Sequence, residues 1–138
     1  MGTTQSNAYK INYEDMQLFI KNNKCIINTL PTDQQDCLIK KTINYKFEEK
    51  IINDNIKNLS CNIIIYGKHS NDESVYKKYT QLIQLGFTHV FVYTGGMFEW
   101  LCLQDIYGND QFPTTSDELD ILKFKPLSRI SNMDLLTN

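Results

Sequence analysis

The residues with the clearest chemical potential form a polar loop in the middle of the chain. The loop follows residues 62–66, a short apolar and β-branched run that is typical of a strand buried on both faces of a parallel sheet. The loop begins with a glycine and continues with candidate cations, hydrogen-bonding groups and carboxylates: Gly67, Lys68, His69, Ser70, Asn71, Asp72 and Glu73. Because open α/β sheets bind ligands at the carboxyl ends of their strands, this loop is the predicted functional site.

The chemistry available to the loop is anion binding or a titrating histidine. Lys68 and His69 are the local cations, and amides at a helix N-terminus attract an anion without a cysteine. Ser70 and Glu73 have capping-box spacing, which predicts that a helix begins at Ser70. If Ser70, Asp72 and Glu73 cap those amides, no vacant anion site remains, and this alternative is favoured. No acid or nucleophile is identifiable beside His69, so the loop has no predicted catalytic residue.

The cysteines do not form a recognisable cluster. There are four of them, with two histidines and no CxxC pair, so the sequence predicts neither a metal site nor a cofactor. Cys61 is expected at the far end of the central strand, roughly 17 Å from the loop. Cys102 is expected to face packing. Cys37 is the one thiol that could approach the loop, although a small buried residue beside Leu38 is the favoured interpretation.

Strand and helix patterns alternate along the chain. Candidate strands are residues 9–12, 24–28, 42–44 (a weak one), 62–66 and 89–93. Candidate helices are residues 13–22 after Asn12, 47–58, 70–85 closed by Gly86, and 97–106 closed by Gly108. This order predicts an α/β sandwich whose mostly parallel five-stranded sheet has helices on both faces.

The domain organisation follows from the same patterns. Residues 1–9 are expected to be a flexible leader, residues 10–108 a single domain, and residues 109–138 a C-terminal extension that packs on the domain. The apolar residues of the extension that would make this contact are Leu119, Ile121, Leu122, Phe124 and Leu127. Four tyrosines are candidates for a protein- or peptide-binding groove at the top of the sheet, with half-buried packing as the alternative: Tyr66, Tyr76, Tyr79 and Tyr93.

Charge and targeting signals restrict the partners. The net charge is −2 and the lysines are scattered, which argues against a nucleic-acid partner. The sequence has no secretory signal and no apolar run of membrane-spanning length, so an intracellular, cytoplasmic protein is expected. Gly2 with Ser6 fits the N-myristoylation pattern, although a polar leader is the simpler interpretation. Membrane binding is expected only if Gly2 is acylated, and one acyl chain alone binds weakly.

Four segments together resemble the rhodanese-like superfamily over residues 11–107. Residues 24–29, 37–43 and 63–67 are similar to its first strand, its "G-H-I-x-G-A-I" segment and the strand before its catalytic loop. The most specific match is the closing block, LGFTHV at residues 85–90 followed by YTGGMFEW at residues 93–100. The resemblance implies a three-layer sandwich in which the paired glycines turn sharply beside the loop and Trp100 anchors the next helix in the core.

The departures from this family pattern bear on function. Active rhodaneses carry a cysteine directly after the central strand, and this chain has Gly67 there. The loop arginines are missing, and Asp72 and Glu73 would repel an anionic sulfur donor such as thiosulfate. The Asp-x-Arg of the first strand is replaced by residues 28–30, Asn-Thr-Leu. The resemblance therefore implies a catalytically inactive module with a protein-binding, regulatory or structural role and an unknown protein partner.

Two alternatives stay open. One is a sulfurtransferase or phosphatase-like enzyme that uses a relocated cysteine such as Cys37. The other is a virion or assembly component, since the composition and residues 95–115 look similar to rhodanese-like proteins of large DNA viruses. The oligomeric state is not indicated by any pattern.

Overall fold

The structure is a computed structural model that describes residues 8–22 and 25–130. Within this part of the chain, one sheet of four strands has the order β1-β4-β3-β2. The strands are β1 (Tyr9–Ile11), β2 (Cys25–Asn28), β3 (Asn62–Tyr66) and β4 (His89–Tyr93), and all three pairings are parallel. The predicted α/β class is confirmed. Gly2 and the candidate acylation lie outside the described residues, as does Lys24.

The prediction of a fifth strand at residues 42–44 is wrong. This segment contacts the edge of the sheet through a single parallel bridge between Thr42 and Ile26. Lys41 has a φ of 70°, and the Asn44 side chain caps a 3₁₀ turn that begins at the next residue. The chain therefore bends into and out of the bridge too quickly to extend the ladder.

Among the described residues, four α-helices form layers on the two faces of the sheet. They are α1 (Tyr13–Lys21), α2 (Glu48–Asp54), α3 (Glu73–Gln84) and α4 (Gly96–Tyr107). Helices α1 and α4 share one buried cluster with Ile64 and Tyr66, whereas α2 and α3 share the other with Ile63 and Ile65. Successive side chains of a strand point to opposite faces, so a strand covered on both sides must be apolar throughout. This explains the unbroken apolar run of β3. No helix of the described residues is both long and apolar enough to cross a membrane.

The helix ends test the capping predictions. Asn12 and Asp15 form a capping box at the start of α1, as expected for a helix beginning after Asn12. At the end of α3, Gly86 has a φ of 105°, and the Gly86 and Phe87 amides donate to the Ile83 and Leu82 carbonyls, which is a Schellman motif. The start of α3 differs from the prediction, because its N-cap is Asp72 rather than Ser70.

Helix α2 is shorter than predicted. It covers seven residues and is flanked by the 3₁₀ turns Tyr45–Phe47 and Asn55–Lys57. The change of helical pitch takes Phe47 and Ile56 out of the expected apolar stripe, and their side chains are exposed.

Residues 109–130 contact the α1/α4 side of the sheet. Phe112 and Phe124 are buried in that cluster, and Thr114 forms an antiparallel bridge with Ile39. Phe124 ends a 3₁₀ turn, Ile121–Phe124. Of the five apolar residues expected to supply this contact, three leucines point largely to solvent: Leu119, Leu122 and Leu127 are 94%, 63% and 83% exposed.

Candidate functional site

The loop after β3 is closed around the carboxylate of Asp72. Asp72 Oδ2 accepts a hydrogen bond from the Lys68 amide at 2.9 Å, and Oδ1 accepts one from the Ser74 amide at 3.1 Å. The Ser74 hydroxyl lies 2.6 Å from Asp72 Oδ1. One side chain thus binds amides on both sides of the loop, so the loop supplies its own anion to its own donors.

The space beside Gly67 is filled by neighbouring side chains. A Cβ atom built on Gly67 would lie 2.7 Å from Val75 Cγ2 and 2.8 Å from Thr29 Oγ1, and it would also overlap Asp72 Oδ2. Val75 is itself buried, so it has little room to move. A side chain at position 67 therefore requires the loop to rearrange.

The turn between β4 and α4 fixes the loop from the other side. The amides of Met97 and Phe98 donate to the carbonyls of Gly67 and Lys68 at 2.9 and 2.8 Å. Gly96 has a φ of 66°, and a Cβ atom there would lie 2.7 Å from the Gly67 carbonyl oxygen. Glycine at position 96 is required on both counts. The turn is held by Trp100, which is fully buried and donates through Nε1 to the Pro113 carbonyl at 3.2 Å.

The end of β2 contributes a second buried polar cluster that the sequence did not reveal. Asn28 and Gln35 exchange amide hydrogen bonds of 3.1 and 2.9 Å, and the Leu30 amide donates to Asn28 Oδ1. Thr29 Oγ1 lies 2.8 Å from Ser74 Oγ, which connects the end of β2 to the start of α3. The paired amides satisfy each other, so this cluster supports the loop rather than offering free donors.

Five of the seven predicted loop residues line one cleft of about 630 Å³: Lys68, His69, Asn71, Asp72 and Glu73. Gly67 is buried beneath them and Ser70 is exposed outside the cleft lining. His69 is half-buried, and its Nδ1 accepts a hydrogen bond of 3.1 Å from the Asn71 amide. The loop histidine therefore takes part in the turn itself.

The opposite wall of the cleft comes from the C-terminal extension. Leu122, Lys123, Lys125, Leu127 and Arg129 line it. Sequence reasoning missed these residues, because nothing local shows that a segment about fifty positions away returns to the loop. One signal was available in the composition, since Arg129 is the only arginine of the chain.

Two of the four tyrosines that were candidates for a groove, with packing as the alternative, are in fact packed in the core. Tyr66 and Tyr93 are buried, and burial raises the pKa of both phenols. The Tyr66 hydroxyl accepts from the Ile39 amide at 3.1 Å, and the Tyr93 hydroxyl donates to Glu99 at 3.2 Å. Both side chains are committed to the core on the α1/α4 side, where no ligand reaches them.

All four cysteine thiols have a raised pKa, chiefly because of burial. Cys37 is buried and its Sγ donates to the Ser116 carbonyl at 3.3 Å, while burial raises the thiol pKa. Burial, followed by the nearby Cys61, raises the pKa of Cys25 to about 12. Nucleophilic cysteines need a lowered pKa and access, and Cys37 has neither. Across residues 8–22 and 25–130, no three His, Cys, Asp or Glu side chains are grouped to hold a metal ion.

These features define a class of protein. A parallel sheet between two helix layers, with a polar loop leading from a central strand into a helix, is an α/β domain with its candidate site at the carboxyl end of the sheet. The family model described as "Rhodanese-like domain" matches residues 12–102. The chain belongs to the rhodanese-like family, as the closing block predicted.

Solved structures agree with this assignment of fold. A full-length protein from Lactobacillus plantarum is 16% identical with a TM-score of 0.61, over 83% of this chain and 92% of its own. The Alr3790 protein from Anabaena sp. is 18% identical with a TM-score of 0.57, over 82% and 97% of the two chains. Ygr203w, a yeast protein tyrosine phosphatase of the rhodanese family, is 15% identical with a TM-score of 0.55, over 79% and 92%. No curated protein matches the chain.

Proposed function

We propose that this rhodanese-like domain is a catalytically inactive module that acts by binding a protein partner. The observation that carries the proposal is the position of Asp72. Its carboxylate occupies the interior of the loop and accepts hydrogen bonds from the Lys68 and Ser74 amides. Gly67 offers no nucleophile, and the space for one is filled. An anionic sulfur or phosphate donor would have to displace a carboxylate that is already hydrogen-bonded there.

The alternative is an enzyme that uses a relocated cysteine, and the positions of the cysteines do not support it. Cys37 is buried and donates to a main-chain carbonyl of the extension, so its thiol is aimed away from solvent. Cys25 is the first residue of β2 and Cys61 directly precedes β3, so both lie at the amino ends of the strands, opposite to the loop. No thiol among the described residues lines the cleft at the loop.

The experiment is a set of turnover assays on the wild type and two loop variants. Thiosulfate with cyanide, mercaptopyruvate and a phosphomonoester are the substrates. We expect no turnover by the wild type or by Gly67→Cys, whose new Cβ atom overlaps Asp72, Val75 and Thr29. The double variant Gly67→Cys with Asp72→Ala removes one of these overlaps and frees the Lys68 and Ser74 amides, so any restored turnover should appear there first.

Turnover by the wild type overturns the proposal. If it occurs, a Cys37→Ser variant decides whether the relocated thiol is responsible. Urea unfolding of each variant is the control, because overpacking at Gly67 is expected to cost about 1–3 kcal/mol and an unfolded variant would also be inactive.

A further inference from the structure

The cleft between the loop and the extension has a charge opposite to that of the whole chain. Its lining carries four cationic and two acidic side chains: Lys68, Asp72, Glu73, Lys123, Lys125 and Arg129. The chain as a whole has a net charge of −2. Because Asp72 directs both oxygens at loop donors, its hydrogen-bonding capacity is already used on the loop side.

Two exposed cations on the extension side of the cleft are available to a ligand. Lys123 is paired with Glu118 at 2.8 Å, whereas Lys125 and Arg129 are exposed and have no ion-pair partner within the described part of the chain. A guanidinium has a planar fork of donors that fits a carboxylate with two parallel hydrogen bonds. The one arginine of this chain therefore stands, exposed, on the wall of its candidate site.

Exposed apolar surface lies beside these cations. Leu122 and Leu127 line the same cleft and are 63% and 83% exposed, although the neighbouring Phe124 is buried. A small inorganic anion would make no use of the two leucines. An extended peptide with both acidic and apolar side chains would contact the cations and the leucines together.

Resting on the proposed function, we propose that this cleft binds an extended acidic segment of a partner protein. The carboxylates of the segment face Lys125 and Arg129, and an apolar side chain covers Leu122 and Leu127. A peptide is favoured over a lipid surface because Lys125 and Arg129 line a cleft, which an extended chain can enter and a flat membrane surface cannot.

The test uses the full chain and a fluorescein-labelled peptide of repeating Glu-Glu-Leu, with a Gln-Gln-Leu peptide as the neutral probe. Fluorescence anisotropy gives the affinity for each. We expect the acidic peptide to bind, the neutral peptide to bind much more weakly, and added salt to weaken the complex. Arg129→Glu and Lys125→Glu should each weaken binding about tenfold.

The matched control is Lys57→Glu, which makes the same change of charge at an exposed position near the amino ends of the strands. It should leave the affinity unchanged. Leu127→Ser should also weaken binding, which separates a peptide from a purely ionic ligand.

Several results would overturn the inference. These are no binding of the acidic peptide, equal binding of both peptides, equal loss from Arg129→Glu and Lys57→Glu, or displacement of the peptide by anionic lipid vesicles. Formation of dimers that bury the cleft, detected by sedimentation, would replace the peptide by a second copy of this chain. Turnover in the assays above would instead overturn the proposed function, so the two failures are distinguishable.

Discussion

The two walls of the cleft are built on different principles. The loop wall is held from inside by Asp72 and from behind by the Met97 and Phe98 amides, so its polar groups are bonded to one another. The extension wall is held by the burial of Phe124, while Leu122, Leu127 and the cations of the same segment stay exposed. The loop wall is thus held by hydrogen bonds to its main-chain groups, whereas Lys125 and Arg129 on the extension wall have no ion-pair partner among the described residues.

This difference assigns different roles to the walls. Substitutions in the loop should change mainly the free energy of unfolding, because they break bonds within the protein. Substitutions of the exposed extension residues should change ligand binding and leave stability unchanged. Four predictions test this division, beginning with the residue that holds the extension in place.

Phe124→Ala should have the largest effect on stability. The fully buried ring fixes the extension against α4, and loss of a buried aromatic side chain costs about 3–5 kcal/mol. Leu122→Ala, two residues earlier and exposed, should change stability by less than about 0.5 kcal/mol. Urea unfolding of the two variants measures both values, and similar losses would mean that the extension is not anchored as described.

Gly96→Ala should have the next largest effect on stability. The backbone there is left-handed, which costs about 1–2 kcal/mol for a residue with a Cβ atom. That atom would also press on the Gly67 carbonyl, a backbone group that cannot turn aside. Gly86→Ala is the matched control, because its φ is also positive but the nearest atom is Leu59 Cδ1, the flexible end of a side chain, at 3.2 Å. Thermal unfolding that ranks Gly86→Ala as the worse variant would contradict the packing of the turn on the loop.

Asp72→Ala should destabilise the domain by about 1–2 kcal/mol, because it removes the N-cap of α3 and leaves the Lys68 amide without its acceptor. Glu73→Ala is a suitable control, since Glu73 is in the first turn of α3 and exposed. Chemical denaturation gives the difference between the two variants. If both variants lose the same stability, Asp72 would contribute through its negative charge near the N-terminus of α3 and not through its hydrogen bonds within the loop.

Arg129→Ala should have the smallest effect on stability, below about 0.5 kcal/mol, because its side chain is exposed on the open wall. Its melting curve should superpose on that of the wild type while binding of the acidic peptide falls. A clear loss of stability would show that Arg129 has a structural role, which would contradict the claim that the exposed extension residues affect only binding.

Thiol labelling gives a separate test of whether any cysteine is reactive. Burial raises the pKa of Cys25 and Cys37, so little thiolate is present near neutral pH. Labelling followed by mass spectrometry should therefore find two cysteines modified last: Cys37, which is buried, and Cys25, which is partly exposed but has a pKa of about 12. The partly exposed Cys61 and Cys102 should be modified first. Early modification of Cys37 would support the alternative in which Cys37 is a relocated nucleophile.

The elements whose rules are local could be read from the sequence. The apolar run of β3, the Asn12 cap, the Gly86 motif and the closing block with Gly96 and Trp100 depend on neighbouring residues or on a fixed backbone requirement. These were predicted and found, and together they were enough to identify the family. The short bridge at Thr42 was overestimated as a strand, since only the geometry of the edge shows that the pairing stops after one residue.

The site was decided by tertiary structure. Ser70 and Asp72 are both good capping residues by type, and the loop in which Asp72 caps α3 is itself held by distant partners. Thr29 at the end of β2 contacts the Ser74 hydroxyl, and amides at the start of α4 donate to the Gly67 and Lys68 carbonyls. Likewise, the side chain of Tyr66 points to the α1/α4 face of the sheet and is buried in the core there, so it cannot line the candidate groove. Arg129 meets the loop only because Phe124 is buried on that side of the domain. The sequence by itself determined the four strands of the sheet, the Asn12 cap and the glycine turns, because these obey short-range rules, whereas the filled loop and its cationic opposite wall arise from contacts between residues far apart along the chain.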